Sequence, residues 1–391
     1  MANLYARFVG QPLWLVGFRP FFILAFMSGL ALPVLWALLF SGRIALPGQG
    51  LNLLQWHAHE MYFGFGWAVM GGFLLTASKN WVGVRGYHGA PLFLLVLAWG
   101  VERLALWQAG LWPTWAFVLA SHAFLATLVC MLVWTLLRYR RHDSYRDNLI
   151  FLVLLPAFIV AKAMILHPDH FADGTLMTLA LFRLAFLVML ERTLTQFMRN
   201  GLQIEILRHP LPDGAIKALA LVLVATPWLP GLAVSIGEGL LAALLLCRFC
   251  FWHPWKAVRR IELGVMYFGY LAIVLHLLFS LIDRQLIPLG VGRLVPHIFG
   301  FGVMGMIIPA MLIRIVKGHT GRKVVFEAWD KAVLYLMLLA FALRIGMTQW
   351  LTANYLLWIA LAAVCWFLAF AILAWRYTPF LLRARVDGRE H

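Results

Sequence analysis

Two histidines and a carboxylate stand together in Trp56-His57-Ala58-His59-Glu60, at the start of the run LNLLQWHAHEMYFGFGWAVMGGFLLTASKNW. Neutral imidazole is the commonest side-chain metal ligand, and a neighbouring carboxylate can fix which ring nitrogen carries the proton. The rest of the run is apolar enough to cross a bilayer. His122, His167, His276 and His297 stand within or at the ends of other apolar runs. For any one of them the plain reading is a neutral imidazole hydrogen-bonded to a neighbouring helix. Six together point to a bound metal or haem, because helix bundles build cofactor sites from side chains on facing helices.

The elements that must position them follow from composition. Of 391 residues, 63% are apolar and 12% charged, with mean hydropathy +0.86. A soluble chain of this size with so little charge could not wet its surface. The expected fold is all-α, a polytopic integral membrane bundle forming a single transmembrane domain over 1–391. A span needs about 20 apolar residues. Twelve candidates appear at about 13–40, 54–78, 90–110, 113–137, 148–166, 174–198, 214–230, 231–252, 262–282, 293–316, 329–347 and 352–376. The seventh and eighth meet at the tight turn Trp228-Leu229-Pro230-Gly231. The N-terminal run lacks a basic region with a small-residue cleavage site and reads as the first span.

Basic residues alternate between the gaps. Lys79 and Arg85 follow span two; Arg138, Arg140, Arg141 and Arg146 follow span four; Arg199 and Arg208 follow span six. Lys256, Arg259 and Arg260 follow span eight, Lys317, Arg322 and Lys323 follow span ten, and Arg383 and Arg385 lie in the tail. The opposite gaps hold few. This is the pattern of an even number of spans with both termini in the cytoplasm. The net charge of +16 therefore sets topology, and nucleic acid is not an expected partner. The lipid bilayer is. Cys130, Cys247, Cys250 and Cys365 all fall in apolar runs and read as packing residues. Cys247-Arg248-Phe249-Cys250 is followed by Phe251, not the His of a covalent haem site, so any haem is of the non-covalent b type.

With that topology, His57, His59, His122, His167, His276 and His297 share the outer half of the membrane. His57 lies on a stripe with Met61, Gly64, Ala68 and Gly72, whose small residues admit a neighbouring helix, so His57 is expected to face the bundle. His59 is about 200° around a regular helix from it and points elsewhere. Glu60 is placed to orient the free nitrogen of His57. The metal-ligand candidates are His57, His59, His167 and His297. Haem iron or copper suits scattered histidines better than zinc, which asks for three or four compact ligands. Arg103 and Arg344, also in the outer half, are candidates for haem propionates; mutual Glu–Arg pairing between helices is the competing reading.

These stretches resemble the NnrS family. Gly17-Phe18-Arg19-Pro20-Phe21-Phe22 is similar to its opening signature, and the Trp56–Met61 stretch, followed by Gly72–Ala77 and Asn80-Trp81-x-Gly83, to its most specific one. Phe197-Met198-Arg199-Asn200 and His297 through Arg314 to Gly318-His319-Thr320-Gly321-Arg322 are similar to the sixth- and tenth-span motifs. The resemblance implies a twelve-helix haem- and copper-containing protein of the bacterial cytoplasmic (inner) membrane. Such a protein protects against nitric oxide and nitrosative stress, with an electron donor that the sequence does not identify. His57, His59, His167, His297 and His319 match family histidines. Two departures stand out. Span six has Glu191-Arg192-Thr193-Leu194-Thr195 where a Gly-Arg…Pro pattern is expected. Span nine has Tyr267-Phe268 where a His precedes Gly269-Tyr270, with Tyr267 a candidate supporting residue and His276 two turns later.

Two other readings compete. A divergent haem-copper oxidase-like nitric-oxide reductase fits twelve spans and a His-bearing second span, but span ten lacks His-x-His and span seven an adjacent His pair. A twelve-helix secondary transporter fits the scattered intramembrane charges, yet would not need six histidines at one depth.

Overall fold

A computed structural model of the chain describes residues 10–48, 50–285 and 294–389; the terminal His391 lies outside them. All regular structure among the described residues is helical. A chain in hydrocarbon must satisfy its backbone internally, and a helix does so within each segment. Twelve helices are long and apolar enough to cross a membrane. They are α1 (Phe18–Phe40), α2 (Leu53–Val82), α3 (Ala90–Trp107), α4 (Thr114–Arg138), α5 (Arg146–Leu166), α6 (Pro168–Leu202), α7 (Pro210–Trp228), α8 (Gly231–Phe251), α9 (Ile261–Arg284), α10 (Val295–His319), α11 (Ala328–Trp350) and α12 (Thr352–Leu382). All twelve expected spans are present, so the chain is a multi-pass membrane protein. The largest differences are at the ends of α6, which gains Asp169, Asp173 and Arg199, and at the C-terminal end of α12, which runs on to Leu382.

The chain folds into two compact units. Unit 1 comprises the chain up to Gly174, Leu312–Val325 and the chain from Trp366 onward; unit 2 comprises Thr175–Met311 and Phe326–Cys365. Each is apolar outside as well as inside. On α3 the exposed Leu94, Leu97, Val101 and Leu104 recur at helical spacing, while Glu102 is buried with Leu92, Leu95 and Leu106. That arrangement suits a helix whose outer solvent is lipid and whose polar group needs a protein partner.

Three spans contain π-helical stretches: Glu60–Gly66 in α2, Ile298–Met304 in α10 and Ala342–Met347 in α11. Two hold the same tetrapeptide, Phe63-Gly64-Phe65-Gly66 and Phe299-Gly300-Phe301-Gly302. A wider turn leaves carbonyls free of the usual ladder. In α2 those of Phe63 and Gly64 accept from Arg103 Nη1 (3.4 Å) and Trp99 Nε1 (3.1 Å). In α10, Gly302 lies so close to α9 that a Cβ there would stand 2.7 Å from Ala272 Cβ.

Close approach also fixes α1 against α12 in unit 1. A Cβ on Gly29 would come within 2.3 Å of the Phe370 ring, whereas one on Gly100 would meet nothing within 4 Å. Gly29→Ala should therefore lower stability by about 1–3 kcal/mol through overpacking. Gly100→Ala should leave it unchanged or raise it by up to about 1 kcal/mol. Thermal unfolding of the detergent-solubilised variants checks both.

Candidate functional site

In unit 1, α2, α3 and α5 bring together the main buried ionisable cluster. A capping box opens α2: Asn52 Oδ1 accepts from the Gln55 amide (2.8 Å) and Gln55 Oε1 from the Asn52 amide (3.1 Å). Gln55 Nε2 donates to the Ile165 carbonyl at 3.1 Å, tying the start of α2 to α5. One turn on, His59 is fully buried between two carboxylates, Nδ1 3.4 Å from Glu60 and Nε2 3.3 Å from Glu102. Arg103 lies 3.1 Å from Glu60 and 2.9 Å from Glu102, and Lys162 of α5 pairs directly with Glu102. Gly64 makes room for this: a Cβ there would stand 2.9 Å from Arg103 Nη1 and 3.0 Å from Glu60 Oε2.

The charges balance. Glu60 and Glu102 face Arg103 and Lys162, with His59 as the fifth group. Such a cluster is tolerated away from water because each charge has an opposite partner. An imidazole between two carboxylates can also take a proton from one side and release it to the other. His122 on α4 lies within electrostatic reach of Lys162, Glu102 and His59. It is half-buried, with Nδ1 2.9 Å from Ser121 Oγ and 3.1 Å from the Val118 carbonyl.

Unit 2 holds a different arrangement. His276 of α9 is buried, and neither ring nitrogen has a hydrogen-bond partner among the described residues. Its ring meets Phe299, in the π stretch of α10, edge to face at 5.4 Å. Arg183 of α6 lies within its electrostatic reach and within that of Glu238 of α8. Glu238 Oε1 accepts from Ser280 Oγ at 2.9 Å, while Glu238 Oε2 and Arg183 Nε are buried without partners among the described residues. Leaving one buried polar atom unpaired costs about 1–3 kcal/mol. His276, Arg183 and Glu238 thus concentrate unmet donor and acceptor capacity in one unit.

The remaining candidates are placed as follows. His57 is half-buried, its ring stacked on Trp36 at 3.8 Å. The expected division of the pair is corrected. His59 is the fully buried histidine, and Glu60 approaches His59 and Arg103 rather than orienting His57. The sequence stripe assumed a regular helix, and the π stretch from Glu60 changes its register. His167 lies just past α5 with its side chain 55% exposed, 3.9 Å from Asp169. His297 is half-buried at the start of α10. Arg344 is buried in the π stretch of α11, about 6.0 Å from the Tyr355 ring. Tyr267 donates to the Trp252 carbonyl at 2.6 Å; its Cα is nine residues, about 13 Å, along α9 from His276. Among the described residues, no three His, Cys, Asp or Glu side chains are grouped to hold a metal ion. Cys247 and Cys250 are exposed, unbridged thiols.

Sequence reasoning missed Lys162, although a lone lysine in PAFIVAKAMIL was its own signal. It also missed the repeated Phe-Gly-Phe-Gly, which marks both π stretches. At the other end of α6, Glu191 binds Arg208 (2.5 Å), Lys217 (3.0 Å) and Arg248 (3.1 Å), and Asp213 binds Arg208 and Arg248. This second network accounts for the Glu191 departure as a structural tie.

Lys162→Met leaves Glu102 short of a cation and should cost about 3–5 kcal/mol. Adding Glu102→Gln leaves the Glu60–Arg103 pair balanced and should restore most of the loss. Unfolding midpoints of the single and double variants check this; equal loss in both would show that packing, not charge, sets the cost.

A comparison with curated proteins finds no match. The family model described as NnrS protein matches residues 12–385, which include the Gly17–Phe22, Trp56–Gly83 and His297–Arg322 stretches. Nearly the whole chain is covered, and the chain belongs to the NnrS family.

Proposed function

We propose that the chain is a haem-binding protein of the bacterial cytoplasmic membrane that binds nitric oxide or helps to remove it, with both termini in the cytoplasm. The observation that carries this reading is His276, a buried imidazole with neither nitrogen hydrogen-bonded among the described residues. Were haem bound, the His276 imidazole could ligate its iron, and Arg183, whose Nε has no partner among the described residues, could meet a propionate. Haem iron, when bound, supplies the affinity for nitric oxide. Copper fits less well, because no compact three-ligand group is present among the described residues; no role is assigned to it.

The chain's own residues then have distinct tasks. His276 holds an imidazole lone pair away from competing donors. Phe299 covers its ring, and the apolar lining excludes water. His59 lies between Glu60 and Glu102, a geometry that can pass a proton from one carboxylate to the other, and reductive removal of nitric oxide consumes protons as well as electrons. The electron donor is a separate partner.

The charge-balanced Glu60–Arg103–Glu102–Lys162 cluster favours a second reading, a secondary transporter, since paired intramembrane charges also mark ion pathways. An optical spectrum of the purified protein separates the two. The proposal expects a Soret band at about one haem or more per chain that shifts on adding nitric oxide. A preparation without a Soret band and without iron by elemental analysis would sink it.

A further inference from the structure

Three stretches far apart in sequence converge at one end of unit 1. Arg19 starts α1, Lys79 lies in the last turn of α2, and Arg322 follows α10. The tail after α12 adds Arg383 and Arg385. Arg19 is fully buried; its Nη1 donates to the carbonyls of Leu381 and Arg383, each at 2.7 Å. Its Nε and Nη2 are buried with no partner among the described residues. Arg385 and Arg322 both lie within electrostatic reach of Arg19, Arg385 and Arg85 within that of Lys79, and Arg383 within that of Arg322. Lys79 is 8% exposed, its stem over Gly86, and no acceptor among the described residues binds it.

Among the described residues the positive charge is not matched. Asp387 is the carboxylate found there, and Arg385 takes it with Nε at 2.9 Å and Nη2 at 2.6 Å. That pairing holds the Asp387 carboxyl below its ordinary range and raises the Arg385 guanidinium. Burial, then Arg383, lowers the Arg322 guanidinium. The C-terminal ends of α2, α10 and α12 attract cations, each with roughly half an elementary charge. They account for the carbonyl contacts of Arg19 and for that of Arg385 to His319 at 3.0 Å. They leave Arg19 Nε and Nη2 without a hydrogen-bond partner among the described residues. Topology alone would not explain the group either, since basic residues that set orientation need only lie in exposed loops.

We infer that Arg19, Lys79 and Arg322 form a binding site for a phosphate-bearing anion, at the end of the bundle read as cytoplasmic. Guanidinium groups present paired N–H donors that match a phosphate, and an ammonium adds a point charge. Two sources carry this chemistry, an anionic phospholipid headgroup and a free phosphate compound. The site is distinct from the His276 and His59 clusters and does not depend on the haem reading.

The test uses the full-length protein. In one arm, inorganic phosphate is titrated in neutral detergent while the unfolding temperature is followed. In the other, nanodiscs of phosphatidylcholine with or without phosphatidylglycerol are used, and retained lipid is measured by native mass spectrometry. Saturable stabilisation by phosphate, or selective retention of phosphatidylglycerol, supports the site and identifies its source. Lys79→Gln and Arg322→Gln should weaken that binding at least tenfold, whereas Arg138→Gln, at the exposed last residue of α4, should not. Arg19 is left intact because it also holds the end of α12. Absence of both effects in the wild type, or undiminished binding in Lys79→Gln and Arg322→Gln, would overturn the inference. So would binding that appears only in Glu390→Gln, since the chain's own tail would then be the counterion.

Discussion

Charge compensation out of reach of water is the constraint on which the structure depends. Glu102 and Lys162 meet with no solvent access on either side. Each would be prohibitive alone in an apolar bundle and is tolerable only with the other present. Their contact fixes α3 against α5. Arg103, one residue on, reaches back to Glu60 on α2, so three helices are held by one balanced set of charges. The Gly64 gap and the π-turn carbonyl of Phe63 are what let the Arg103 guanidinium into that space. In unit 2 the same principle recurs at the Glu191, Asp213, Arg208 and Arg248 tie.

Against that background, unmatched groups carry information. Where Glu60, Glu102, Arg103 and Lys162 pair by opposite charge, they hold α2, α3 and α5 together. Where His276 has neither ring nitrogen paired, and Arg183 and Glu238 each keep an unpaired atom, among the described residues, the protein forgoes stability. Buried polar atoms without partners mark places made to meet something else. The cationic group at Arg19 and Lys79 follows the same logic at the end of the bundle, with an anion in place of a neutral ligand's lone-pair acceptor.

Much of this was legible in the sequence. Twelve apolar stretches of span length give the helices almost residue by residue, because in lipid hydropathy dominates and few alternatives satisfy the backbone. The basic gaps and the residues Glu102, Arg103, Glu238 and His276 could be singled out as costly. What could not be read was who faces whom. The stripe through His57, Gly64 and Gly72 presumed 3.6 residues per turn, and the π stretch from Glu60 to Gly66 broke that presumption, leaving His59 as the buried histidine. Equal depth in the membrane likewise did not mean proximity. His167 turned out to be largely exposed past the end of α5, and Tyr267 belongs with Trp252, far along α9 from His276. Side-chain partnership depends on helix rotation and packing, which periodicity at one residue's precision does not fix.

Haem content per chain in His276→Ala and His59→Ala, measured by the pyridine haemochrome spectrum on protein purified in parallel, decides whether the proposed haem ligand is His276, with neither ring nitrogen paired among the described residues, rather than His59 between its two carboxylates. Expected is loss of most haem in His276→Ala, with His59→Ala keeping it. Full haem in His276→Ala, with loss in His59→Ala, would overturn the proposal.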